Sequence, residues 1–157
     1  MVRPKNNPTT QSKEFDATAF LRSINLCFDA EAPERIRHFQ PTSKSVALLE
    51  SLLGHQKDRA FLVVAPYGTG KSLTVTYLLH LVENRKSSTG ALGEIGDRFE
   101  RVSPDLYKLS TGRLKDGESG LGIALHGACT SLPQSLKQAL LDPIGRCGWR
   151  KDVVAKL

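Results

Sequence analysis

The sequence predicts an α/β fold, in which a parallel sheet is flanked by helices and is incomplete within this chain. Two apolar runs, Ala60–Val64 and Leu121–Leu125, are short enough to be buried strands. Apolar residues at helical spacing follow each run, and a helix between two strands is the usual parallel crossover. Because a typical sheet has about five or six strands, two strands would form only part of one.

The chain before the first strand divides into a tail and a helical segment. Residues 1–13 are rich in Pro, Asn, Thr and Lys, a composition that predicts a flexible tail. Residues 14–59 follow as an N-terminal helical segment, and residues 60–157 as the core domain. Within the helical segment, Phe15–Leu26 predicts a short amphipathic helix.

A second helix is more clearly marked in the N-terminal helical segment. Thr42 or Ser43 can cap its start, and Gly54 is placed to end it. Apolar residues recur between these positions at helical spacing, for example Leu49 and Leu52. A helix therefore precedes the first predicted strand.

The most informative motif, Ala65–Ser72, comes directly after the first predicted strand. It reads Ala-Pro-Tyr-Gly-Thr-Gly-Lys-Ser, which fits a small residue, four residues of any type and Gly-Lys-Ser. This pattern is typical of the phosphate-binding loop, or Walker A motif. Residues from Lys71 to about Asn84 follow with helical spacing, so the motif lies between a strand and a helix, as that loop requires. The sequence therefore predicts binding of a nucleoside triphosphate.

The residue types in the loop suit a triphosphate. Gly68 and Gly70 allow backbone conformations that a side chain would oppose, and the helix that follows offers unpaired N–H groups and a positive dipole end. We expect the Lys71 ammonium to reach the β- and γ-phosphates and the Ser72 hydroxyl to coordinate Mg²⁺. The candidate residues for binding ATP are Pro66, Tyr67, Gly68, Thr69, Gly70, Lys71, Ser72 and Leu73, with Ser72 as the metal ligand.

The loop resembles the Gly-Pro-Pro-Gly-Thr-Gly-Lys-Ser loop of AAA+ ATPases, which belong to the P-loop NTPases. It departs from that pattern at Ala65, where the family usually has glycine, and at Tyr67, where it often has a second proline. The resemblance covers about residues 60–84. The position of a helix ahead of the loop strand is also similar to the layout of initiator-type and signal-transduction members of the family. It implies a P-loop NTPase-type sheet, an ATPase that remodels protein or nucleic acid, and an adenine contact from Ile36, Phe39 and Pro41. Phe39 as a core aromatic is the alternative.

The region after the loop helix predicts further helices and an exposed loop. Apolar spacing predicts a helix over about Ala91–Arg101, bounded by Pro104, and a short helical turn at Leu106–Leu109. Thr111–Gly120 is rich in Gly and Lys and predicts an exposed loop. Beyond the second strand, His126 is expected to be structural, and a last helix is expected from about Leu132 to Ile144.

Hydrolysis needs an acidic residue, because a phosphate-loop hydrolase holds its magnesium shell and orients water with an aspartate or glutamate after an apolar strand. Neither predicted strand here ends in an acid. We expect the chain to be the N-terminal portion of an ATPase that lacks this acidic (Walker B) half. The alternatives are a complete nucleotide-gated binding module without efficient hydrolysis and, less favoured, a small P-loop kinase. The catalytic residue is therefore unknown.

Composition limits the remaining function classes. The net charge of +6 is spread along the chain without a basic arm, so the charge neither establishes nor excludes a nucleic-acid partner. Self-association or a larger multidomain assembly is expected for this type of ATPase. Three widely spaced cysteines favour free thiols in the cytoplasm over disulfides or a zinc site. No apolar run reaches the length of a membrane span, so no membrane partner is expected. The absence of an Asn-Lys-x-Asp motif favours ATP over GTP.

Overall fold

A computed structural model describes residues 24–54, 60–125 and 131–148 of the chain, and these ranges are mainly helical. They contain six α-helices and two 3₁₀ helices. The α-helices are α1 (Leu26–Asp29), α2 (Ser43–Leu53), α3 (Lys71–Glu83), α4 (Thr89–Val102), α5 (Pro104–Asp116) and α6 (Leu132–Arg146). The 3₁₀ helices, Pro33–His38 and Lys86–Ser88, lie before α2 and α4.

Helix α2 begins and ends where its capping residues predict. The Thr42 side chain accepts the Ser45 N–H at 3.2 Å, and the Ser45 hydroxyl accepts the Thr42 N–H at 2.8 Å. This reciprocal capping box satisfies two N–H groups that would otherwise lack acceptors. Gly54 follows the last helical residue and donates its N–H to the Glu50 carbonyl oxygen. The predicted helix between Thr42 and Gly54 is confirmed.

Helix α5 is longer than the sequence predicts. Ser103 caps its start by accepting the Leu106 N–H at 3.2 Å, and Pro104 occupies the first turn, where a missing N–H costs little. The helix then continues through Asp116 and ends at Gly117, which has a φ of 68°. The prediction of an exposed loop over Thr111–Gly120 is therefore wrong for its first six residues. The helix continues through them because Gly117 is the glycine that ends it.

The core is built around three aromatic rings from different elements. Phe39 stacks on Tyr77 of α3 with ring centroids 5.1 Å apart, and Phe99 of α4 meets both rings edge-on at 6.0 and 5.6 Å. Offset stacking and edge-to-face contacts are the arrangements that aromatic quadrupoles favour. Burial also raises the pKa of the Tyr77 phenol. These rings fix the position of α3, the helix that follows the predicted phosphate-binding loop.

Aliphatic side chains from the 3₁₀ helix Pro33–His38 and from α2, α3, α4 and α5 surround the aromatic rings. Leu92, Ile95 and Phe99 lie at helical spacing on the buried side of α4, which confirms the helix predicted over Ala91–Arg101. Leu49 of α2 and Leu106 of α5 pack into the same cluster. The core thus joins helices that lie on both sides of the loop.

The predicted parallel sheet is wrong, because the three described ranges contain no strand. Both apolar runs, Ala60–Val64 and Leu121–Leu125, have neither helical nor strand structure there. A strand exists only if its backbone pairs with a neighbour, and no backbone–backbone hydrogen bond ties Phe61–Val64 to another described residue. The apolar composition of these runs predicted burial, but the core that the described residues form comes from the helices and from Phe39, the residue after the first 3₁₀ helix.

The first apolar run is instead on the surface. Leu62 is 90% exposed and Val64 is 83% exposed, whereas a strand in a parallel sheet is covered on both faces. Phe61 and Val63 are each 40% exposed. The chain thus approaches the predicted phosphate-binding loop along an exposed apolar segment, residues 60–65.

The other predictions have mixed outcomes. Helix α6 confirms the last predicted helix. The predicted tail at residues 1–13, most of the predicted Phe15–Leu26 helix and His126 lie outside the described residues. In the described part of the chain, no helix combines the length and the apolar character needed to cross a membrane.

Candidate phosphate-binding loop and the helix it precedes

Helix α3 begins at Lys71, inside the predicted phosphate-binding motif, and continues to Glu83. The predicted helix after the loop is therefore confirmed. Gly70, the residue before it, has a left-handed backbone conformation, and no side chain caps the start of the helix. The first intrahelical bond runs from the Thr74 N–H to the Gly70 carbonyl oxygen at 2.9 Å. The N–H groups of the first helical residues, 71–73, consequently have no acceptor among the described residues and are available to an anion.

The loop conformation depends on two glycines. Gly68 has a φ of 79° and Gly70 a φ of 82°, both in the left-handed region that side chains oppose. No heavy atom lies within 4 Å of a Cβ added at either position, so glycine is required by the backbone conformation and not by lack of space. The sequence prediction for these two positions thus has a physical basis in the structure.

Hydrogen bonds close the loop on itself. The Lys71 ammonium donates to the carbonyl oxygens of Ala65 and Pro66, both at 2.6 Å. The Thr69 hydroxyl also donates to the Pro66 carbonyl oxygen, at 2.9 Å. These bonds hold the Lys71 ammonium beside the loop, where its charge adds to the positive end of the α3 dipole.

One cavity of about 370 Å³ opens at the loop. Seven of the eight predicted binding residues, from Tyr67 through Leu73, line it. Pro66 is not part of the lining, although its carbonyl oxygen accepts two of the three hydrogen bonds that close the loop. Ile24 also lines the cavity, and sequence reasoning missed it because no local pattern links it to a loop so far along the chain.

The candidate metal ligand, Ser72, lies exposed in the first turn of α3 and lines this cavity. Its hydroxyl makes no hydrogen bond with another residue in the described ranges, so its oxygen is available to a hard cation. The described lining of the cavity includes no carboxylate. In the described part of the chain, no group of three or more His, Cys, Asp or Glu residues could hold a metal ion by itself.

The residues suggested for the adenine side of the site do not face the loop cavity. Ile36 is fully buried and Phe39 is 2% exposed, both within the helical core. The stacking of Phe39 on Tyr77 makes it a core aromatic, which was the alternative interpretation. Pro41 is partly buried and does not line the cavity.

At the opposite end of α3, a buried ion cluster surrounds Glu83. The Glu83 side chain has no exposed surface, and its carboxylate accepts from Arg146 Nη2 of α6 at 2.7 Å and faces Arg85 Nε at 3.1 Å. Arg146 also donates to the Gly122 carbonyl oxygen at 3.2 Å. Sequence reasoning missed this cluster because Glu83 and Arg146 lie 63 positions apart.

His80 lies next to the ion cluster and is fully buried. Its Nε2 lies 3.0 Å from the Asp29 carbonyl oxygen, which can only accept, so this nitrogen carries the proton. Nδ1 then accepts from the Ser88 hydroxyl at 2.8 Å. Burial lowers the pKa of His80 below its ordinary value of 6.5, so the ring is neutral at pH 7.

Comparison of the chain with protein-family models, with curated proteins and with solved structures finds no match. The site must therefore be interpreted from its own residues. Among the described residues, the loop carries the most specific motif, the phosphate-binding pattern Ala65–Ser72.

Proposed function

We propose that this protein binds Mg-ATP through the loop Ala65–Ser72. The observation that carries the proposal is the cavity lined by seven consecutive residues, Tyr67–Leu73, at the uncapped start of α3. The N–H groups of residues 71–73, which have no acceptor among the described residues, and the positive end of the α3 dipole favour an anion there. The Lys71 ammonium, held on the carbonyl oxygens of Ala65 and Pro66, adds positive charge beside the loop. Pro66 supports the loop through its carbonyl oxygen.

Mg²⁺ enters the proposal through Ser72 and the nucleotide. Mg²⁺ usually keeps several water ligands and is held by one or two protein oxygens together with substrate phosphates. An exposed serine hydroxyl without a partner among the described residues suits that role. The proposal therefore predicts that Ser72→Ala weakens Mg-ATP binding but leaves metal-free ATP binding little changed.

ATP hydrolysis, and its coupling to remodelling of protein or nucleic acid, is proposed only if an acidic group reaches the loop. The described lining of the loop cavity holds no carboxylate that could orient water. The resemblance of the loop to AAA+ ATPases supports the remodelling role. We place this activity in the cytoplasm, which the free thiol of Cys147 supports because a reducing compartment maintains thiols.

A nucleotide-gated interaction module is the second candidate function. The exposed apolar residues Leu62, Val64 and Tyr67 lie in or next to the loop, and Tyr67 is 95% exposed. Nucleotide bound at the loop would therefore change a surface that carries apolar side chains. Such a module requires binding of ATP but not its hydrolysis.

Isothermal titration calorimetry with Mg-ATP tests the proposed function. The titration uses the native chain, Lys71→Ala, and Lys137→Gln as a control in which an exposed lysine of α6 loses its charge. We expect the native chain and the control to bind alike and Lys71→Ala to lose most of its affinity. A parallel titration with Mg-GTP examines the preference for ATP. Thermal unfolding followed by circular dichroism establishes that each variant is folded.

Phosphate release and particle size, followed in the same samples, separate the candidate functions. Turnover that depends on Lys71 supports an ATPase. Assembly that needs ATP and survives replacement by a non-hydrolysable analogue supports the interaction module. If the folded native chain binds no nucleotide, or if Lys71→Ala binds as well as the native chain, the proposal is wrong.

A further inference from the structure

A second cavity of about 340 Å³ adjoins the loop cavity. Its walls come from the first turns of α2, from residues 62–65 and from the loop with the start of α3. Thr69 and Lys71 line both this cavity and the loop cavity. The two cavities therefore share a wall at the residue that is expected to hold phosphate.

The second cavity is positively charged. Lys44 of α2 and Lys71 are the charged residues in its described lining, which contains no carboxylate. Lys44 is exposed and makes no ion pair or hydrogen bond with another described residue. The hydroxyls of Thr69 and Thr74 donate to the carbonyl oxygens of Pro66 and Gly70. Among the described residues, the Lys44 ammonium therefore has no partner, and it lines this cavity.

We propose that Lys44 binds the terminal phosphate of the nucleotide and makes the site selective for triphosphates over diphosphates. The inference rests on the proposed function. Lys71 lies at the boundary of the two cavities, so a phosphate chain seated along the loop places its last group next to the cavity that Lys44 lines. A nucleoside diphosphate lacks the group that Lys44 would contact.

The selectivity follows from the distance dependence of ion pairing. A direct contact between an ammonium and a phosphate oxygen is a charge-assisted hydrogen bond, whereas a charge a Debye length away is largely screened at physiological salt. Loss of Lys44 should therefore weaken ATP binding strongly and ADP binding only slightly. A general effect of net charge would weaken both alike.

Calorimetric titrations of Mg-ATP and Mg-ADP into the native chain, Lys44→Gln, Lys44→Arg and Lys137→Gln test this inference. Lys44→Gln is expected to raise the Kd for ATP about five- to tenfold and the Kd for ADP less than about twofold. Lys44→Arg keeps the cation and should retain most of the preference for ATP. Lys137→Gln should leave both constants unchanged.

Three outcomes would overturn the inference. Equal losses of ATP and ADP affinity in Lys44→Gln would make Lys44 a general source of charge. Affinities equal to those of Lys137→Gln would mean that Lys44 does not reach the nucleotide, even if Lys71→Ala abolishes binding and the proposed function stands. A native chain that binds neither nucleotide would refute both proposals. Unchanged unfolding midpoints show that all variants are folded.

Discussion

Glu83→Gln is predicted to destabilise the protein substantially. The Glu83 carboxylate has no exposed surface, and its two arginine partners, Arg85 and Arg146, are only 13% and 10% exposed. Glutamine has nearly the same shape as glutamate, so the substitution removes the charge without creating a large cavity. Two mostly buried guanidinium groups then face a neutral amide, which cannot balance their positive charge.

The expected magnitude follows from these contacts. Breaking a buried ion pair by removing one partner costs about 3–5 kcal/mol. Arg85 and Arg146 retain hydrogen bonds to the carbonyl oxygens of Ala30 and Gly122, which favours the lower end, about 3 kcal/mol. Arg146→Gln should cost less, about 1–3 kcal/mol, because Glu83 still has Arg85 as a partner.

Urea unfolding at pH 7, followed by circular dichroism, measures these free energies. Glu100→Gln is the matched control, because Glu100 is an exposed glutamate of α4, and it should change stability by less than about 0.5 kcal/mol. Glu83→Gln and Arg146→Gln together should cost less than the sum of the single substitutions, since they remove the same contact. A Glu83→Gln variant no less stable than Glu100→Gln would contradict this prediction. So would additive costs of Glu83→Gln and Arg146→Gln.

Three further predictions concern the loop, the core and the buried histidine. Gly70→Ala should cost about 1–2 kcal/mol and weaken ATP binding, because alanine opposes a φ of 82°, whereas Gly93→Ala in α4 should be neutral or stabilising in the same unfolding and calorimetric assays. Phe99→Ala should cost about 3–5 kcal/mol in urea unfolding, and a cost below about 1 kcal/mol would contradict the aromatic core. The native chain should lose stability as the pH falls from 7 to 5, because the unfolded state protonates His80 at an ordinary pKa near 6.5 while burial lowers that pKa in the folded state. His80→Gln should lose less stability over the same pH range, and equal slopes would refute this assignment.

The sequence predicted the helices and the loop because their signals are local. The capping residues of α2 and the glycines of the loop act on their own backbone or on residues three positions away. Gly68 and Gly70 were identified from a motif, and their positive φ values show the physical need for glycine. Lys71 was likewise predicted to start the helix, where α3 begins.

The sheet could not be judged from the sequence in the same way, because a strand depends on a partner elsewhere in the chain. Phe61–Val64 has the branched and aromatic residues of a strand, yet the described residues offer it no paired backbone. The site likewise depends on residues that are distant in the sequence. Ile24 lines the loop cavity, and Lys44 lines its neighbour, through contacts that no spacing pattern encodes. The length of α5 was missed because Gly117, and not the Gly-rich composition from Thr111, ends it.

Amide chemical shifts test the central claim, nucleotide binding at the loop, most directly. We would titrate Mg-ATP into ¹⁵N-labelled native protein and follow each backbone N–H by two-dimensional NMR. We predict saturable shifts that are largest from Gly68 through Leu73 and are absent in Lys71→Ala. Loop amides that stay unchanged while ATP is in excess, or shifts that persist in folded Lys71→Ala, would contradict it.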